Sequence, residues 1–489
     1  MSDILRRGRL SDVPDEKIQN FSSSMNDDKW IFNADILVDF AHTVMLFEQD
    51  IISRKECKLI LGGLQKIKNE GIVGLDWNYE DIHISLESKL IDLVGEDVGG
   101  RMHSGRSRND EVATCIRITL REQLIELMEE INKLRVALLD VSLSNIDTIL
   151  PGYTHLQHAQ PTTLAHHFLA HAGSLERDFG RAFDAYKRIN LCPLGASAFA
   201  STGFNIDRTR TQELLGFDDI LENSMDAVSS RDFLIETAAL CSNIMINLSK
   251  MSEEIVLWSS SEFNFIEIHD KYASTSSIMP QKKNPDTAEL IRGKSGAVIG
   301  SLMSLITICK SLPLSYNRDL QEATPNIWRC MDTTITSVSI MAGIISTLNV
   351  NKKAMESANS VGFTTATELA DTLVRSTGIP FRTAHQIIGT ISKNTSSPTL
   401  EQIDEVAYSI TNSKMSERGL TQKHVHDALD PFHNINRRDV VGGPATNETL
   451  RSINSHRDRL GVDDQNLEAC NSKLIRCVDK LMKVVDSYM

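Results

Sequence analysis

An apolar seam through the middle of the chain constrains its fold more than any other feature. Apolar residues recur at alternating spacings of four and three along residues 120–141 and again along residues 234–258. This spacing aligns the apolar side chains on one stripe of a helix, and a seam of this length is typical of long helices that pack nearly parallel. We therefore predict a mainly α protein with about five long helices between residues 108 and 350.

Changes in this pattern divide the chain into three predicted domains. Residues 1–108 carry mixed amphipathic helices, residues 109–351 hold the long helices, and residues 352–489 contain small helices among many turn signals. The length of 489 residues fits roughly three domains of about 150 residues. Because a long helix that is apolar on more than one face buries the second face against another subunit, we also predict a homo-oligomer.

The composition narrows the classes of partner and compartment. A net charge of -14 repels nucleic acid and anionic membranes, so we expect neither as a partner. The eight cysteines are scattered without a C-x-x-C pair, which indicates reduced thiols in a cytoplasmic protein. Residues 1–10 lack the apolar core of a signal peptide. Residues 333–351 are uncharged but rich in Thr, Ser and Asn, so we predict a helix buried among other helices.

The chemistry of the sequence concentrates at residues 274–285, which read STSSIMPQKKNP. This stretch has neither helical nor strand periodicity and predicts a loop, whereas residues 286–310 predict a helix that Pro285 opens. Lysines, an asparagine and serines anchored beside a helix start suit an anionic ligand and offer a nucleophile or base. On composition alone, a solvated turn is an equally good interpretation.

Two further polar motifs precede this loop. HSGRSRND at residues 103–110 sets arginines and an amide at a predicted helix start, which suits a carboxylate, although a helix cap with solvated charges is the simpler interpretation. PGYTHLQHAQP at residues 151–161 contains His155, a candidate general acid or base near neutral pH. His167 and His171 are spaced to share a helix face, as metal ligands often are. No H-E-x-x-H motif or cysteine pair accompanies them, so we favour helix packing and predict no metal.

Together these motifs resemble those of the argininosuccinate lyase family in the fumarase/aspartase superfamily. SSIMPQKKNP at residues 276–285 is similar to the signature loop of the superfamily, and the two motifs above are similar to the other characteristic regions of the family. The resemblance extends over most of the chain through NSMDAVSSRD at residues 223–232, LPLSYNRDLQE at residues 312–322, and ELAD and GIPFRTAH within residues 368–385.

The resemblance implies a carbon–nitrogen lyase that needs no cofactor. It implies a three-domain fold whose central helices assemble into a twenty-helix core in a homotetramer, with active sites shared between subunits. The implied reaction is the reversible β-elimination of argininosuccinate to L-arginine and fumarate, the last step of arginine biosynthesis.

The positions of this sequence that match the family's motifs imply a role for each residue. They imply that Ser276 is the base, that His155 is the acid, and that the Glu289 carboxylate orients and charges the histidine. Lys282 and Asn284 match the groups that stabilise the developing negative charge. The implied contacts to substrate are Ser24, Ser107, Arg108, Asn109, Thr154, Asn284, Tyr316 and Gln321.

The sequence departs from the family pattern at a few positions and leaves two alternatives open. Thr275 replaces a glycine, Glu111 a glutamine and Cys192 a frequent serine, and Thr324 stands where many relatives have a lysine that contacts substrate. The last change weakens one carboxylate contact unless Arg318 or another residue substitutes.

One alternative is another fumarate-releasing lyase, namely adenylosuccinate lyase, fumarase or aspartase. The other is a non-catalytic structural homologue resembling a lens crystallin.

Overall fold

The apolar seam folds into long helices, and the prediction of a mainly α fold is confirmed. The computed structural model describes residues 15–489. The helices are α1 (Glu16–Ser22), α2 (Met25–Asp28), α3 (Phe32–Glu48), α4 (Arg54–Glu70), α5 (Ile82–Val94), α6 (Glu96–Gly99), α7 (Arg108–Ser144), α8 (Leu164–Ile189), α9 (Arg208–Leu215), α10 (Ser224–Ser229), α11 (Asp232–Trp258), α12 (Asp286–Cys309), α13 (Ala323–Ser346), α14 (Lys352–Ala358), α15 (Ala366–Thr377), α16 (Phe381–Ile391), α17 (Leu400–Thr411), α18 (Gln422–Leu429), α19 (Pro431–Asn436) and α20 (Thr446–Tyr488).

The strands in the described part of the chain are short and form two-stranded pairs. Their bounds are β1 (Ile149–Thr154), β2 (Gln157–Thr163), β3 (Leu191–Cys192), β4 (Asp219–Ile220), β5 (Ile266–Glu267), β6 (Ser274–Thr275), β7 (Lys283–Asn284) and β8 (Asn349–Val350). The antiparallel pairs join β1 with β2, β5 with β8 and β6 with β7, and β3 pairs with β4 in parallel.

The predicted long helices α7, α8, α11, α12 and α13 form the centre of the molecule. Helix α7 packs against α8 and α13, and α11 packs against α8, α12 and α13. The seam residues Leu120, Leu124, Leu234, Ile244 and Leu248 are fully buried. Since burying one such side chain contributes roughly 1.5–3 kcal/mol, the seam determines which faces of these helices meet.

The C-terminal region differs from the expectation of small helices after residue 351. Helix α20 has 43 residues and packs along α7 and α8. Its buried leucines recur every seven residues at Leu460, Leu467, Leu474 and Leu481, with exposed or half-buried residues between them. One buried apolar residue every two turns is a sparse pattern, so the helix was not evident from periodicity. Its buried side belongs to the main core rather than to a separate C-terminal core.

A second apolar core lies beneath α15, α16, α17 and α18. It is formed by residues such as Leu369, Leu373, Ile387, Ile403 and Val425. These small helices match the turn-rich segment of the sequence. The division into residues 1–108, 109–351 and 352–489 stays a prediction.

One side of α12 remains apolar and exposed in the single chain. Ile299, Met303 and Ile306 are each at least 37% exposed. Water-exposed apolar side chains at helical spacing are typical of a surface that another subunit covers. The predicted homo-oligomer therefore has a candidate interface on this helix.

The uncharged stretch at residues 333–351 runs through the second half of α13 and ends in β8. Val338, Met341 and Ile344 of this stretch are fully buried. No single helix within residues 15–489 is both long and apolar enough to span a membrane. One bent pair, Glu16–Asp28 with Phe32–Glu48, reaches that length and apolar composition only when its two helices are counted together. The prediction for residues 1–10 lies outside the described residues.

Candidate active site

Five of the expected substrate contacts line one cavity at the start of α7. A capping box fixes this start, because the Ser107 hydroxyl accepts the Asn109 amide and the Asp110 carboxylate accepts the Ser107 amide. Ser107 thus serves as the helix cap and does not line the cavity. The cavity has a volume of about 150 Å³ and is lined by Ser24, Asp28, Glu80, Asp81, His83, Arg108, Asn109, Val112, Ile116, Arg231, Tyr316, Arg318, Leu320, Gln321 and Thr324.

Most of the cavity's cations already have an acidic partner. Arg108 forms an ion pair with Asp81, and Arg318 forms one with Glu80. The Arg318 guanidinium also donates a hydrogen bond to the Ser22 carbonyl oxygen at 2.9 Å. These pairings reduce the ability of both side chains to bind a further anion.

Arg231 is the cation of the cavity that differs in this respect, and the sequence motif around it does not indicate the difference. Its side chain is 4% exposed, and Nη1 donates to the carbonyl oxygens of Val228 at 3.2 Å and Ser230 at 2.8 Å. Arg231 forms no ion pair with any residue between 15 and 489, and burial lowers its pKa. A buried guanidinium without a counter-ion favours a carboxylate ligand. No local sequence signal reveals a missing partner, because partners come from distant segments.

Two departures from the family pattern fit their local structure. Thr275 lies in β6, an extended conformation that β-branched residues favour. Cys192 is fully buried in β3, and burial raises the pKa of its thiol to about 12. Thr324 is different because it lines the cavity without a charge.

Residues 274–285 form a small hairpin, which corrects the prediction of a loop without strands. Ser274 pairs with Asn284 and Thr275 with Lys283. Ladders of two residues are too short to produce an alternating pattern, so periodicity missed them. Within the hairpin, the Ser276 hydroxyl oxygen accepts the amides of Ile278 at 3.3 Å and Met279 at 3.0 Å. Two amides aimed at one oxygen stabilise negative charge on it.

The two lysines of the loop have different surroundings. The Lys283 ammonium lies 3.0 Å from Glu267 and 2.7 Å from Asp270, and hydrogen bonds to these carboxylates raise its pKa. Lys282 is exposed and forms no ion pair within the described chain. Lys282 is therefore the lysine available to an anionic ligand. Glu289 is also exposed, one turn into α12, whose Pro285 cap joins it directly to the loop.

His155 lies at the tip of the β1–β2 hairpin. Thr154 pairs with Gln157, which leaves His155 and Leu156 as the turn, with φ values of 56° and 57°. A left-handed conformation costs a non-glycine residue roughly 1–2 kcal/mol, and such strain clusters at functional sites. His155 and Thr154 are both exposed, so the turn presents them to a ligand or to another chain.

The neighbouring His158 holds this hairpin in place. Its Nδ1 atom donates to the Val361 carbonyl oxygen at 2.7 Å, so in the neutral ring Nε2 accepts the Tyr153 hydroxyl at 3.2 Å. His158 is thus held by hydrogen bonds within the chain, whereas His155, the histidine that the family motif matches, is exposed.

The expected site residues thus fall into three groups within one chain. The first group lines the cavity at α7, the second is the hairpin tip with Thr154 and His155, and the third is the loop and the start of α12. The cavity is lined by no member of the second or third group. The members of the third group are Ser276, Lys282, Asn284 and Glu289.

A buried charge cluster lies directly behind the cavity and includes the unusual Glu111. The Arg106 guanidinium lies 2.6 Å from Asp39 and 3.0 Å from Glu111, and His83 Nδ1 lies 2.8 Å from Asp35. Burial raises the pKa of Asp39 to about 7 and raises that of Glu111 well above its usual range. Three carboxyl groups share two cations, so one carboxyl group keeps a proton near neutral pH.

Replacement of Glu111 by glutamine is expected to stabilise the protein at pH 8 but not at pH 5. A carboxyl group with a raised folded-state pKa stabilises the fold at low pH, and that contribution is lost as the pH rises through the folded-state pKa. Glutamine keeps the neutral form at every pH. Urea unfolding at pH 5 and pH 8 should show a higher free energy of unfolding for Glu111→Gln than for the wild type at the higher pH only.

Glu126→Gln, an exposed position on the same helix, is the matched control for this measurement. Its stability relative to the wild type should not change with pH. Equal stability of Glu111→Gln and the wild type at both pH values would contradict a protonated Glu111.

Comparison with known proteins identifies the family. A family model described as lyase matches residues 8–300, and one described as argininosuccinate lyase C-terminal matches residues 363–436. A curated argininosuccinate lyase from Methanosarcina acetivorans is 61% identical over 488 residues, covering 100% of this chain and 99% of the relative. The chain belongs to the argininosuccinate lyase family. An argininosuccinate lyase from Methanococcoides burtonii is 63% identical over 486 residues, with 99% of both chains covered.

Solved structures agree with membership of this lyase family. EDDS lyase in complex with formate is 32% identical, with a TM-score of 0.87 over 100% of this chain and 98% of that chain. A class II fumarase from Schistosoma mansoni is 15% identical, with a TM-score of 0.69 over 82% of this chain and 90% of that one. The second likeness concerns the fold alone. The protein is a lyase, and the resemblance drawn from its motifs is confirmed.

Proposed function

We propose that this protein catalyses the reversible β-elimination of argininosuccinate to L-arginine and fumarate. The observation that carries the proposal is the full-length identity of 61–63% to curated argininosuccinate lyases. The cavity at α7 supports it, because its lining joins the implied substrate contacts with Arg231, a cation that forms no ion pair within residues 15–489 and suits a substrate carboxylate. The reaction is the last step of arginine biosynthesis. All eight cysteines are free, in keeping with our proposal of a cytoplasmic protein.

In this proposal Ser276 is the base that removes the proton from the carbon next to a substrate carboxylate. A serine hydroxyl is a weak base unless its alkoxide is stabilised. The amides of Ile278 and Met279 already point at this oxygen, and Lys282 supplies a nearby positive charge in the same loop. The electron pair of the broken C–H bond leaves a doubly charged aci-carboxylate.

Lys282 and Asn284 stabilise that charge as it develops. A cation and an amide donor on a folded loop lower the barrier because their dipoles are oriented before the reaction begins. The first turn of α12 adds the positive end of a helix dipole behind them. Lys283 takes no part because Glu267 and Asp270 hold it.

His155 completes the elimination by protonating the departing nitrogen. The C–N bond breaks, its electron pair leaves with the guanidino group, and the carbon–carbon double bond of fumarate forms. Glu289 orients and charges the imidazole from the first turn of α12. An exposed histidine on a strained hairpin tip suits this role, because the imidazole stays accessible to a substrate.

We further propose that each active site is completed by other subunits of a homotetramer. The cavity group, the hairpin and the loop belong to different parts of the chain, and α12 carries an exposed apolar side. Five long helices from each of four subunits would give the twenty-helix core implied by the family resemblance.

Fumarate release, followed by its ultraviolet absorbance, tests the proposed reaction. Purified protein receives argininosuccinate, adenylosuccinate, malate or aspartate in parallel. We expect fumarate from argininosuccinate only. Fumarate from another substrate would keep the elimination and replace the substrate, whereas no fumarate from any of them would favour the crystallin-like alternative.

Replacement of Arg231 by glutamine is expected to raise the KM for argininosuccinate by about 10- to 100-fold. The physical reason is the loss of a charge-assisted hydrogen bond to a substrate carboxylate, which contributes roughly 1.5–3 kcal/mol. Steady-state kinetics measure the effect, and the melting temperature reports whether the fold survives the loss of the bonds to Val228 and Ser230.

Arg318→Gln is the matched control, since Arg318 lines the same cavity but is paired with Glu80. It should change KM by less than about fivefold, as expected for an exposed ion pair. If Arg318→Gln raised KM more than Arg231→Gln, the cation that compensates for Thr324 would be Arg318.

A further inference from the structure

A cluster of two histidines and a glutamate lies between α8 and α11, outside the cavity and the catalytic loop. His167 and His171 lie one turn apart on α8, and Glu254 lies on α11. The Nε2 atom of His167 is 2.9 Å from Glu254 Oε2, and the Nε2 atom of His171 is 2.7 Å from the same oxygen. Both rings therefore aim the same nitrogen at one point in space.

The three donor atoms suit a transition-metal ion. The two imidazole nitrogens and the carboxylate oxygen lie within 4.8 Å of one another. Zn²⁺ binds such nitrogen and oxygen atoms at about 2.0–2.2 Å, with four ligands in a tetrahedral arrangement. An opening of the present nitrogen–oxygen separations by about half an ångström makes room for the ion. Water or a further ligand then fills the fourth position.

The surroundings of the cluster favour binding. The His167 ring packs against Trp258 with 4.8 Å between ring centroids, which restricts its orientation. The side chains of His167, His171 and Glu254 are 27%, 13% and 34% exposed, so an ion has access from solvent.

We propose that His167, His171 and Glu254 bind one divalent transition-metal ion of the Zn²⁺ class per chain. The ion ties α8 to α11 and has no part in the proposed elimination. The histidine pair is evident in the sequence, but no third ligand lies near it along the chain. Glu254 is 83 positions beyond His171, and packing of the two helices brings it to the histidines.

The test titrates metal-free, full-length protein with Zn²⁺ by calorimetry and with Co²⁺ by visible absorption. We expect one Zn²⁺ per chain with a Kd at or below about 10 µM, and Co²⁺ bands typical of a tetrahedral site. His171→Gln and Glu254→Gln should each weaken binding by at least about 100-fold. His166→Gln is the matched control, because His166 instead contacts Thr162 and Gly442 and should leave Zn²⁺ binding unchanged.

X-ray absorption of the zinc-loaded wild type keeps the proposal testable if a variant fails to fold. Nitrogen and oxygen ligands at about 2.0 Å are expected, whereas sulfur at about 2.3 Å would assign the ion to a cysteine-containing site. No Zn²⁺ binding by the wild type, or equal binding by the wild type and both variants, would overturn the proposal. Fumarate release is expected from the metal-free enzyme, so failure of the proposed reaction and failure of the metal site remain separate results.

Discussion

Replacement of Ser276 by alanine is expected to lower kcat for argininosuccinate cleavage by about 10²- to 10⁴-fold, the usual range for loss of a general base. The reason is specific to one oxygen. Ser276 Oγ accepts two backbone amides within its hairpin, and the substitution removes the atom that these amides would stabilise as an alkoxide. The amides are in an exposed loop where water can replace the lost oxygen, so the fold should be little affected.

The kinetic constants separate a base from a binding group. A base acts in the transition state, so kcat should fall while KM stays within a few-fold of the wild type. Ser277→Ala is the matched control, because Ser277 is the exposed neighbour in the same loop and has no role in the proposed mechanism. Retention of more than a tenth of the wild-type kcat by Ser276→Ala would assign the base to another residue.

The loop shows why part of the site could be predicted from sequence. Its proposed function depends on residues close together in the chain, and Pro285 and Glu289 connect it to α12 within one helical turn. Such local relations survive in a linear motif. The serine–amide contacts span only two or three residues, so a motif that preserves the loop residues also preserves this geometry.

Features that depend on distant partners could not be predicted in this way. Arg231 stands out only because no acidic side chain within residues 15–489 pairs with it, and Glu111 only because it shares Arg106 with Asp39 from another helix. Glu254 meets His171 across a gap of 83 positions. Helix α20 was not predicted for a related reason, since its buried side is defined by contacts with α7 and α8 rather than by a dense apolar pattern.

Mixing two inactive variants is expected to restore activity if the active site is shared between subunits. Ser276→Ala inactivates the loop group, and Asn109→Asp inactivates the cavity group by setting a carboxylate against an anionic substrate. When the subunits are unfolded together and reassembled in equal amounts, a site that takes these two groups from different chains receives both intact groups in about a quarter of cases. Fumarate release should therefore recover to about a quarter of the wild-type rate.

A second mixture distinguishes shared sites from a simple effect of refolding. Ser276→Ala and Lys282→Ala both lie in the loop group, so every active site assembled from this pair contains one damaged loop. This mixture should stay inactive, whichever subunits supply the other groups. If neither mixture recovered, each site would draw the loop and the cavity from the same chain. The exposed apolar side of α12 would then have to be explained by an interface that leaves the active sites independent.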